Sequence, residues 1–263
     1  ATRCFLDGLQ RRTAHTGSEL GLAQALSLPN RPVRERVQAR EKYPKLDADS
    51  PELIFELILN LAEAGDFERA ESLFHNRFFP REEGGTNVRQ VWIEVQLQRL
   101  SASARAGRCG DALSVAQHLG SEVPGLAFTR DGLEHILQSA RTKYLLGSTY
   151  ASCGNPAEAR EILEEAAAAS DPDQIRWAWL AARKLPGFNQ TQWQNRLQSA
   201  FNEAAHRSET SAYPSWWMYT AGLLDKELGR KQEADLRFRK ALLLPDRMLA
   251  YHFTRLARSE ATP

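Results

Sequence analysis

Apolar and small residues recur every three or four positions along most of the chain, and the stretch from Lys143 to Pro172 shows this pattern most clearly. Leu146 and Tyr150 are four residues apart, so they lie on one face of a predicted helix. Gly147 stands beside them and removes a side chain where a neighbouring helix can approach. A second helix is predicted to follow, with a stripe of small and apolar residues at Ala159, Leu163, Ala166 and Ala167.

The two predicted helices are separated by a short break at Gly154, Asn155 and Pro156. Glycine favours the left-handed conformation that ends a helix, asparagine is a good N-cap residue, and proline fits the first helical turn. Two helices joined by about three residues cannot continue in one direction, so we expect them to fold back as an αα-hairpin.

This spacing resembles the tetratricopeptide repeat, whose pattern is an aromatic residue, Leu-Gly, Tyr, Ala, Phe, Ala and Pro across about 34 residues. The matching positions are Leu146, Gly147, Tyr150, Ala159, Leu163 and Ala166. The proline of the pattern is one place late at Pro172, and Lys143 stands where the family has its first aromatic residue.

Three more stretches repeat the spacing around Gly65, Gly107 and Gly229. The copy around Gly229 places these residues on the pattern: Gly222, Ala234, Phe238 and Ala241, with Asp225 in the place of the tyrosine and Pro245 one place early. The other two copies retain Ala70 and Phe74 after Gly65, and Ala112 after Gly107. Four copies along one chain indicate a series of helical hairpins.

The hairpins predict an all-α fold. The resemblance implies an α-solenoid, in which antiparallel helix hairpins stack into a right-handed superhelix of roughly a dozen helices. The spacing of the turn glycines exceeds the usual period of the family, so we expect an irregular array of the kind found in bacteria. We expect N-terminal helices with a basic arm in residues 1–46, and the hairpin array in residues 47–263, as one continuous solenoid.

The sequence also predicts where two further helices begin and end. Asp131 is a predicted N-cap for a helix that reaches Ser152, and Asp246 is a predicted N-cap for a final helix that reaches Arg258. The final helix is expected to turn Arg247, Arg255 and Arg258 outwards, since a terminal repeat needs a polar outer face.

Charge is nearly balanced over the 263 residues, with 34 basic and 33 acidic side chains, so it gives no argument for nucleic acid or a membrane. No apolar run approaches the roughly 18 residues of a membrane-spanning helix. The first 45 residues hold nine basic and four acidic side chains. We interpret the basic cluster as a solvated face, with nucleic-acid binding as the weaker alternative: Arg31, Arg34, Arg36, Arg40, Lys42 and Lys45.

Three cysteines, Cys4, Cys109 and Cys153, are an odd number at wide spacings. Cys109 and Cys153 both fall in predicted hairpin turns, which is neither a metal-binding pattern nor a disulfide framework. The sequence therefore favours a reducing compartment, and we expect the cytoplasm.

The sequence contains no GxSxG, no HExxH and no dinucleotide-binding motif. Glu203 and His206 form a single ExxH on a predicted helix, where a di-iron bundle needs two such pairs, so we interpret them as a surface pair. We predict no catalytic residue, no metal and no cofactor, and we expect a protein that is not an enzyme.

Five of the six tryptophans fall within a short segment: Trp177, Trp179, Trp193, Trp216 and Trp217. Trp177 and Trp179 are two residues apart and must face different sides of one helix. Packing between loosely matched helices is one explanation of this cluster. An aromatic groove for a partner is the other, since tryptophan and tyrosine are favoured as binding anchors.

In the tetratricopeptide family the first helix of each hairpin lines a concave surface that binds peptides. The resemblance places these residues on that surface: Phe55, Leu59, Leu97, Ser101, Arg141, Tyr144, Ser148, Trp216, Tyr219 and Lys226. One subfamily grips a terminal carboxylate with lysines and asparagines on these helices. Apolar residues and serines stand at the corresponding places here, which favours a more apolar ligand or a neighbouring domain.

The leading hypothesis is a non-catalytic interaction or scaffolding module that binds a protein, a peptide or another domain of the parent chain. The alternative is an accessory region that positions the catalytic domain of a larger enzyme, such as one acting on carbohydrate. The segment RFFPREEGGTN is similar to an element of bacterial proteins in which such repeats follow a β-rich domain. Since Ala1 already reads as helix, we expect the chain to be a piece of a longer protein.

Overall fold

The computed structural model describes residues 31–41, 51–77, 79, 87–123, 133–244, 246 and 248–259. Within these ranges all regular structure is α-helical, which confirms the all-α prediction. The helices are α1 (Val33–Glu41), α2 (Pro51–Glu63), α3 (Phe67–Ser72), α4 (Val88–Arg105), α5 (Cys109–His118), α6 (Glu134–Leu137), α7 (Ala140–Ser152), α8 (Pro156–Ala167), α9 (Ile175–Ala182), α10 (Gln190–Thr210), α11 (Pro214–Glu227), α12 (Lys231–Ala241) and α13 (Met248–Ser259). None of these described helices is both long enough and apolar enough to cross a membrane.

The chain divides into two compact units. Unit 1 comprises Ala1–Val95, Pro124–Ala127 and Arg247–Pro263, and unit 2 comprises Gln96–Val123 and Phe128–Asp246. Helix α13 belongs to the same unit as α1, α2 and α3.

Unit 1 is built around helix α2. Every residue of α2 from Leu53 to Ala62 is buried, and the helix packs against α1, α3 and α13. An aromatic group completes the core, where the ring of Phe74 lies 5.2 Å from Trp92 and 5.9 Å from Phe79. Phe79 in turn stacks on Phe55.

Unit 2 contains packed antiparallel pairs. Helix α7 packs against α8, and α11 packs against both α10 and α12, while α9 lies between them and contacts α7, α8, α10 and α11. The core of this part is formed by Trp179, Trp193, Leu197 and Leu224 with surrounding alanines.

Four hairpin turns have the same backbone geometry. The turn glycines Gly65, Gly107, Gly154 and Gly229 have φ between 73° and 84°, as predicted for Gly154. In each turn the N–H of the residue after the glycine donates to the carbonyl five residues earlier, at distances of 2.8–2.9 Å. This is the Schellman motif, which satisfies the last carbonyls of a helix.

Small residues lie where the paired helices approach each other. A Cβ atom on Gly147 would stand 2.7 Å from Cγ of Leu163, and one on Gly222 would stand 2.6 Å from Cε1 of Phe238. The alanines predicted for the second helices, Ala70, Ala112, Ala159 and Ala234, are all buried. The close approach predicted at Gly147 and Ala159 is therefore confirmed, since a Cβ on Gly147 would also lie 3.2 Å from the carbonyl oxygen of Ala159.

The aspartate that replaces the tyrosine of the repeat pattern has its own partners. Asp225 is 1% exposed and accepts a hydrogen bond from Nε of Arg230 at 2.6 Å and from Nε of Arg237 at 2.7 Å. Both guanidinium groups also lie over the ring of Phe201, at 4.2 and 5.0 Å from its centroid. This arrangement joins helices α10, α11 and α12.

A disulfide bond links Cys109 to Cys153, with Cα atoms 5.3 Å apart. The expectation that these cysteines form no disulfide is therefore wrong. Cys109 begins α5 and Cys153 follows α7, so two residues 44 positions apart in sequence meet where two hairpin turns lie side by side. Sequence spacing does not predict this disulfide bond, because the bond depends on the packing of α5 against α7.

Three expectations about helices and charge need correction. The helix predicted from Asp131 to Ser152 is interrupted at Gln138–Ser139, where the side chain of Ser139 caps α7 by accepting from N–H of Thr142. Of the basic cluster, Arg31 and Arg34 are exposed, whereas Arg36 and Arg40 are buried and do not form a solvated face. Arg255 and Arg258 are also buried, not on a polar outer face.

Some expectations fall outside the described residues. They concern residues 1–30, Lys42, Lys45, Asp131, Arg247, and most of the RFFPREEGGTN segment.

We predict that Gly222→Ala destabilises unit 2, because the new methyl group would overlap the buried ring of Phe238. Overpacking of this kind costs about 1–3 kcal/mol in the free energy of unfolding, which urea denaturation measures. Gly110→Ala is the matched control, since nothing lies within 4 Å of its added Cβ. A Gly222→Ala protein as stable as the Gly110→Ala protein would contradict the close approach.

We predict that the double change Cys109→Ser and Cys153→Ser lowers the free energy of unfolding by about 2–4 kcal/mol, because the bond restricts the unfolded chain. A reducing agent should destabilise the wild type by a similar amount and leave the double variant unchanged. Equal stability of oxidised and reduced wild type would show that the bond adds nothing.

Candidate partner-binding surface and a buried charged cluster

The ten residues predicted to line a concave surface fall into two groups. Four are buried within their own unit and offer almost no side-chain surface to a partner: Phe55, Leu59, Leu97 and Tyr219. Six are partly exposed, all of them in unit 2: Ser101, Arg141, Tyr144, Ser148, Trp216 and Lys226. These four buried residues belong to the core and offer no binding surface.

Two of the partly exposed residues lie on α7 and contact a tryptophan on α9, the first helix of the next predicted hairpin. The ring of Tyr144 lies 5.7 Å from that of Trp177, and the guanidinium carbon of Arg141 lies 5.6 Å from the Trp177 centroid. Arg176 lies over the same ring at 4.5 Å. We call the partly exposed Arg141, Tyr144 and Trp177, together with the buried Arg176, the aromatic–basic surface.

An ion pair extends this arrangement to a third helix. Nε of Arg176 donates to Oε1 of Glu227 at 2.9 Å, and both side chains are mostly buried. The aromatic–basic surface therefore rests on α7 and α9, and α11 holds one of its arginines in place. A guanidinium that is both paired and stacked keeps few rotamers, which makes the surface well ordered.

Hydrogen bonds also connect the starts of these three helices. N–H of Ala140 donates to Oε1 of Gln174 at 3.0 Å. The carboxylate of Asp173 accepts from the side chains of Gln174 and Trp216, while burial of this carboxyl group raises its pKa. The residues before α9 thus bridge the first turns of α7 and α11.

Part of the tryptophan cluster is core packing, the first of the two explanations that the sequence left open. Trp179 and Trp193 are buried in the core of unit 2, with Arg183 over the first ring at 4.7 Å and Arg196 over the second at 4.0 Å. Trp177, Trp216 and Trp217 are partly exposed. Trp177 and Trp179 face different sides of α9, as predicted.

The ExxH pair shows no feature of a reactive site. Glu203 pairs with Arg207 at 2.6 Å, and His206 is exposed on α10. In the described part of the chain, no three His, Cys, Asp or Glu side chains are grouped so that they could hold a metal ion.

Unit 1 contains a feature that the sequence reading missed, a cluster of buried charged side chains. Helix α1 contributes Arg36 and Arg40, and helix α13 contributes Arg255 and Arg258, each at least nine-tenths buried. Helix α2 lies against both and carries a polar stripe of Glu56, Asn60 and Glu63. We call these seven residues the buried charged cluster.

The cluster is partly cross-linked by hydrogen bonds. Nη1 of Arg36 donates to Oδ1 of Asn60 at 2.7 Å, and Nη2 of Arg36 donates to Oε1 of Glu63. Burial raises the pKa of Glu56, although the positive charges of Arg255, Arg40 and Arg36 act in the opposite direction. The environment of Glu56 therefore disfavours its ionised form.

A second buried pair lies in the same unit. Nε2 of His252 is 3.3 Å from Oε1 of Glu94, and both side chains are almost fully buried. Burial lowers the pKa of His252 more than the neighbouring carboxylate raises it, so the imidazole is held neutral.

The sequence does contain a signal for this cluster. Arg36 and Arg40 are four apart, Glu56, Asn60 and Glu63 follow intervals of four and three, and Arg255 and Arg258 are three apart. Each set is a polar stripe on one helix face. Stripes of opposite charge on separate helices indicate that the stripes are buried against each other. A single stripe, taken alone, is typical of a solvated helix face.

In comparisons with known proteins, the chain matches no protein-family model and no curated relative.

We predict that Glu56→Gln changes how stability depends on pH. A carboxyl group whose pKa is raised in the folded state binds its proton more tightly there than in the unfolded chain. Its ionisation therefore destabilises the folded state as the pH rises from about 4.5 through the folded pKa. Glutamine mimics the protonated form, so the wild type should lose stability relative to Glu56→Gln across that range.

The measurement is urea denaturation of both proteins at several pH values. Taking the difference between them isolates Glu56 from His252, whose lowered pKa acts in the opposite direction within the same unit. A constant difference across the range would contradict the raised pKa.

Proposed function

We propose that the chain is a non-catalytic interaction module related to the tetratricopeptide repeats, and that unit 2 binds a protein or peptide partner through its first helices. The observation that carries this proposal is the aromatic–basic surface. Arg141, Tyr144 and Trp177 are partly exposed on the first helices α7 and α9, and the buried Arg176 lies over the ring of Trp177. Tyrosine, tryptophan and arginine are the residues most often found as anchors of protein interfaces.

The contacts around this surface support the proposal in a second way. Arg176 is fixed by Glu227, and the first turns of α7, α9 and α11 are bridged through Gln174 and Asp173. A surface that is ordered before binding loses less conformational entropy when the partner arrives. The resemblance to the repeat family adds that first helices are the peptide-binding helices there.

The cytoplasmic location expected from the sequence stays a prediction, and the disulfide between Cys109 and Cys153 is an argument against it. Disulfides persist mainly in oxidising compartments, whereas the cytosol keeps thiols reduced. We propose that the protein acts in an oxidising environment, which the redox state of these cysteines in freshly prepared cells would test.

We predict that Trp177→Ala weakens binding of a specific partner by about 30-fold, the loss typical of an interface anchor. Proteins that the wild type retains from an extract of its source cells are identified by mass spectrometry, then purified and titrated against each variant. Leu236→Ala is the matched control, because Leu236 is exposed on the second helix α12 and lies outside the surface.

Circular dichroism and urea denaturation should show that Trp177→Ala folds as the wild type does. Unchanged affinity for Trp177→Ala, or equal losses for Trp177→Ala and Leu236→Ala, would count against the surface. Arg141→Glu provides an independent second variant, since it reverses a charge beside Trp177 without emptying the centre of the surface.

A further inference from the structure

The short connection between α9 and α10 carries a sequence motif that the partner-binding surface does not use. Asn189, Gln190 and Thr191 have the form Asn-x-Ser/Thr, with a middle residue other than proline. This is the acceptor motif for N-linked glycans. None of the other asparagines in the chain is followed two places later by serine or threonine. A motif of three residues arises easily by chance, so the structural surroundings of Asn189 must decide whether it is usable.

The connection presents the motif to solvent. All three residues of the motif are exposed, and so are residues 186–187 before them. Phe188 packs against the core of unit 2 and anchors the connection immediately before Asn189. A glycan is bulky and hydrophilic, so it can be carried only at a surface position of this kind.

The two ends of the Asn189 amide group are used differently. Its Oδ1 accepts a hydrogen bond from N–H of Gln192 at 3.0 Å and thereby caps α10. Within the part of the chain that the structure describes, its Nδ2 has no hydrogen-bond partner. An N-linked glycan is attached through Nδ2 and leaves Oδ1 in place. A glycan on Asn189 therefore preserves the cap of α10.

Asn155 provides a contrast at the equivalent place before α8. Pro156 follows it, and proline in the middle position excludes the motif. The Nδ2 atom of Asn155 also donates to the carbonyl oxygen of Cys153 at 3.1 Å. Of these two asparagines that precede a helix, the one with the motif is the one whose Nδ2 is available for a covalent bond.

The disulfide between Cys109 and Cys153 agrees with this assignment. Disulfides persist mainly in secreted and other extracytoplasmic proteins, and N-linked glycans are likewise found on secreted proteins. The disulfide and the motif lie in different turns of unit 2 and are independent of each other in sequence. In this respect the inference rests on the oxidising environment proposed above.

From the motif, its exposure and the free Nδ2, we propose that Asn189 is an N-glycosylation site. The donor is an oligosaccharide linked to a polyprenyl diphosphate. Nδ2 forms a bond to the anomeric carbon of the first sugar, and the bond from that carbon to the diphosphate oxygen breaks. The diphosphate leaves with the electron pair, and a proton of Nδ2 passes to a carboxylate of the transferase. The hydroxyl of Thr191 completes the motif that the transferase recognises.

The position of the glycan is compatible with partner binding. Trp177 lies in the first turn of α9, whereas Asn189 follows the last turn of that helix. The glycan therefore occupies the opposite end of α9 and leaves the aromatic–basic surface open. We expect the connection between α9 and α10 to face solvent in a complex.

The test is peptide mass spectrometry of the whole protein isolated from its source cells. Trypsin cuts after Lys184 and Arg196, so the single peptide of residues 185–196 contains both Asn189 and Asn195. Asn195 is exposed but lacks the motif, which makes it an internal control. A peptide N-glycosidase should release a glycan from this peptide and convert Asn189, but not Asn195, to aspartate.

Three variants separate the motif from the fold. Asn189→Asp keeps the capping oxygen and removes Nδ2, so it should fold as the wild type does and carry no glycan. Thr191→Ala should lose the glycan although Asn189 is present, and Thr191→Ser, which keeps the hydroxyl, should retain it. On a denaturing gel, Asn189→Asp and Thr191→Ala should migrate with the deglycosylated wild type.

An unmodified Asn189 in the protein from its source cells overturns the proposal, and so does a glycan that persists in Thr191→Ala. The redox state of Cys109 and Cys153 is measured in the same sample. An intact disulfide together with an unmodified Asn189 overturns the glycosylation site alone. Reduced cysteines together with an unmodified Asn189 would overturn the oxidising environment as well.

Discussion

The hairpins of this protein depend on how each first helix ends. At Gly65, Gly107, Gly154 and Gly229 the chain takes positive φ, and the next N–H returns to the carbonyl five residues back. This geometry sets the end of one helix and the start of the next in the same way each time. The alanine five residues after each glycine is buried, so the backbone geometry of the turn sets which residues of the second helix face inwards.

This is also why the hairpins could be predicted from sequence. A glycine in the left-handed region and an alanine at a close helix contact are local requirements, and they are visible as a spacing of five residues. Asp225 shows the limit of the same pattern. Its burial depends on Arg230, which follows the turn, and on Arg237 and Phe201 from two other helices. The repeat pattern therefore predicted that Asp225 replaces the tyrosine of the family, but it did not predict which residues surround Asp225. The disulfide likewise joins turns of separate hairpins.

The candidate surface was predictable only in part, for a related reason. Helical periodicity predicts which residues share a face, but not which faces are later covered by distant parts of the chain. Helix α2 is covered by α1, α3 and α13, and this places Phe55 and Leu59 in a core. Tyr144 was predicted from its place in the repeat, whereas its contact with Trp177 arises between neighbouring hairpins.

The arginines of the two units are buried among different kinds of neighbours. In unit 2 arginines are stacked on aromatic rings, and two of them share the buried carboxylate of Asp225. In unit 1 the arginines of α1 and α13 are buried beside helix α2, where Arg36 donates to Asn60 and Glu63. Buried ionic groups are weak contributors to stability and are often replaceable by apolar residues. The buried arginines of unit 1 therefore contribute less to the stability of the fold than their number suggests.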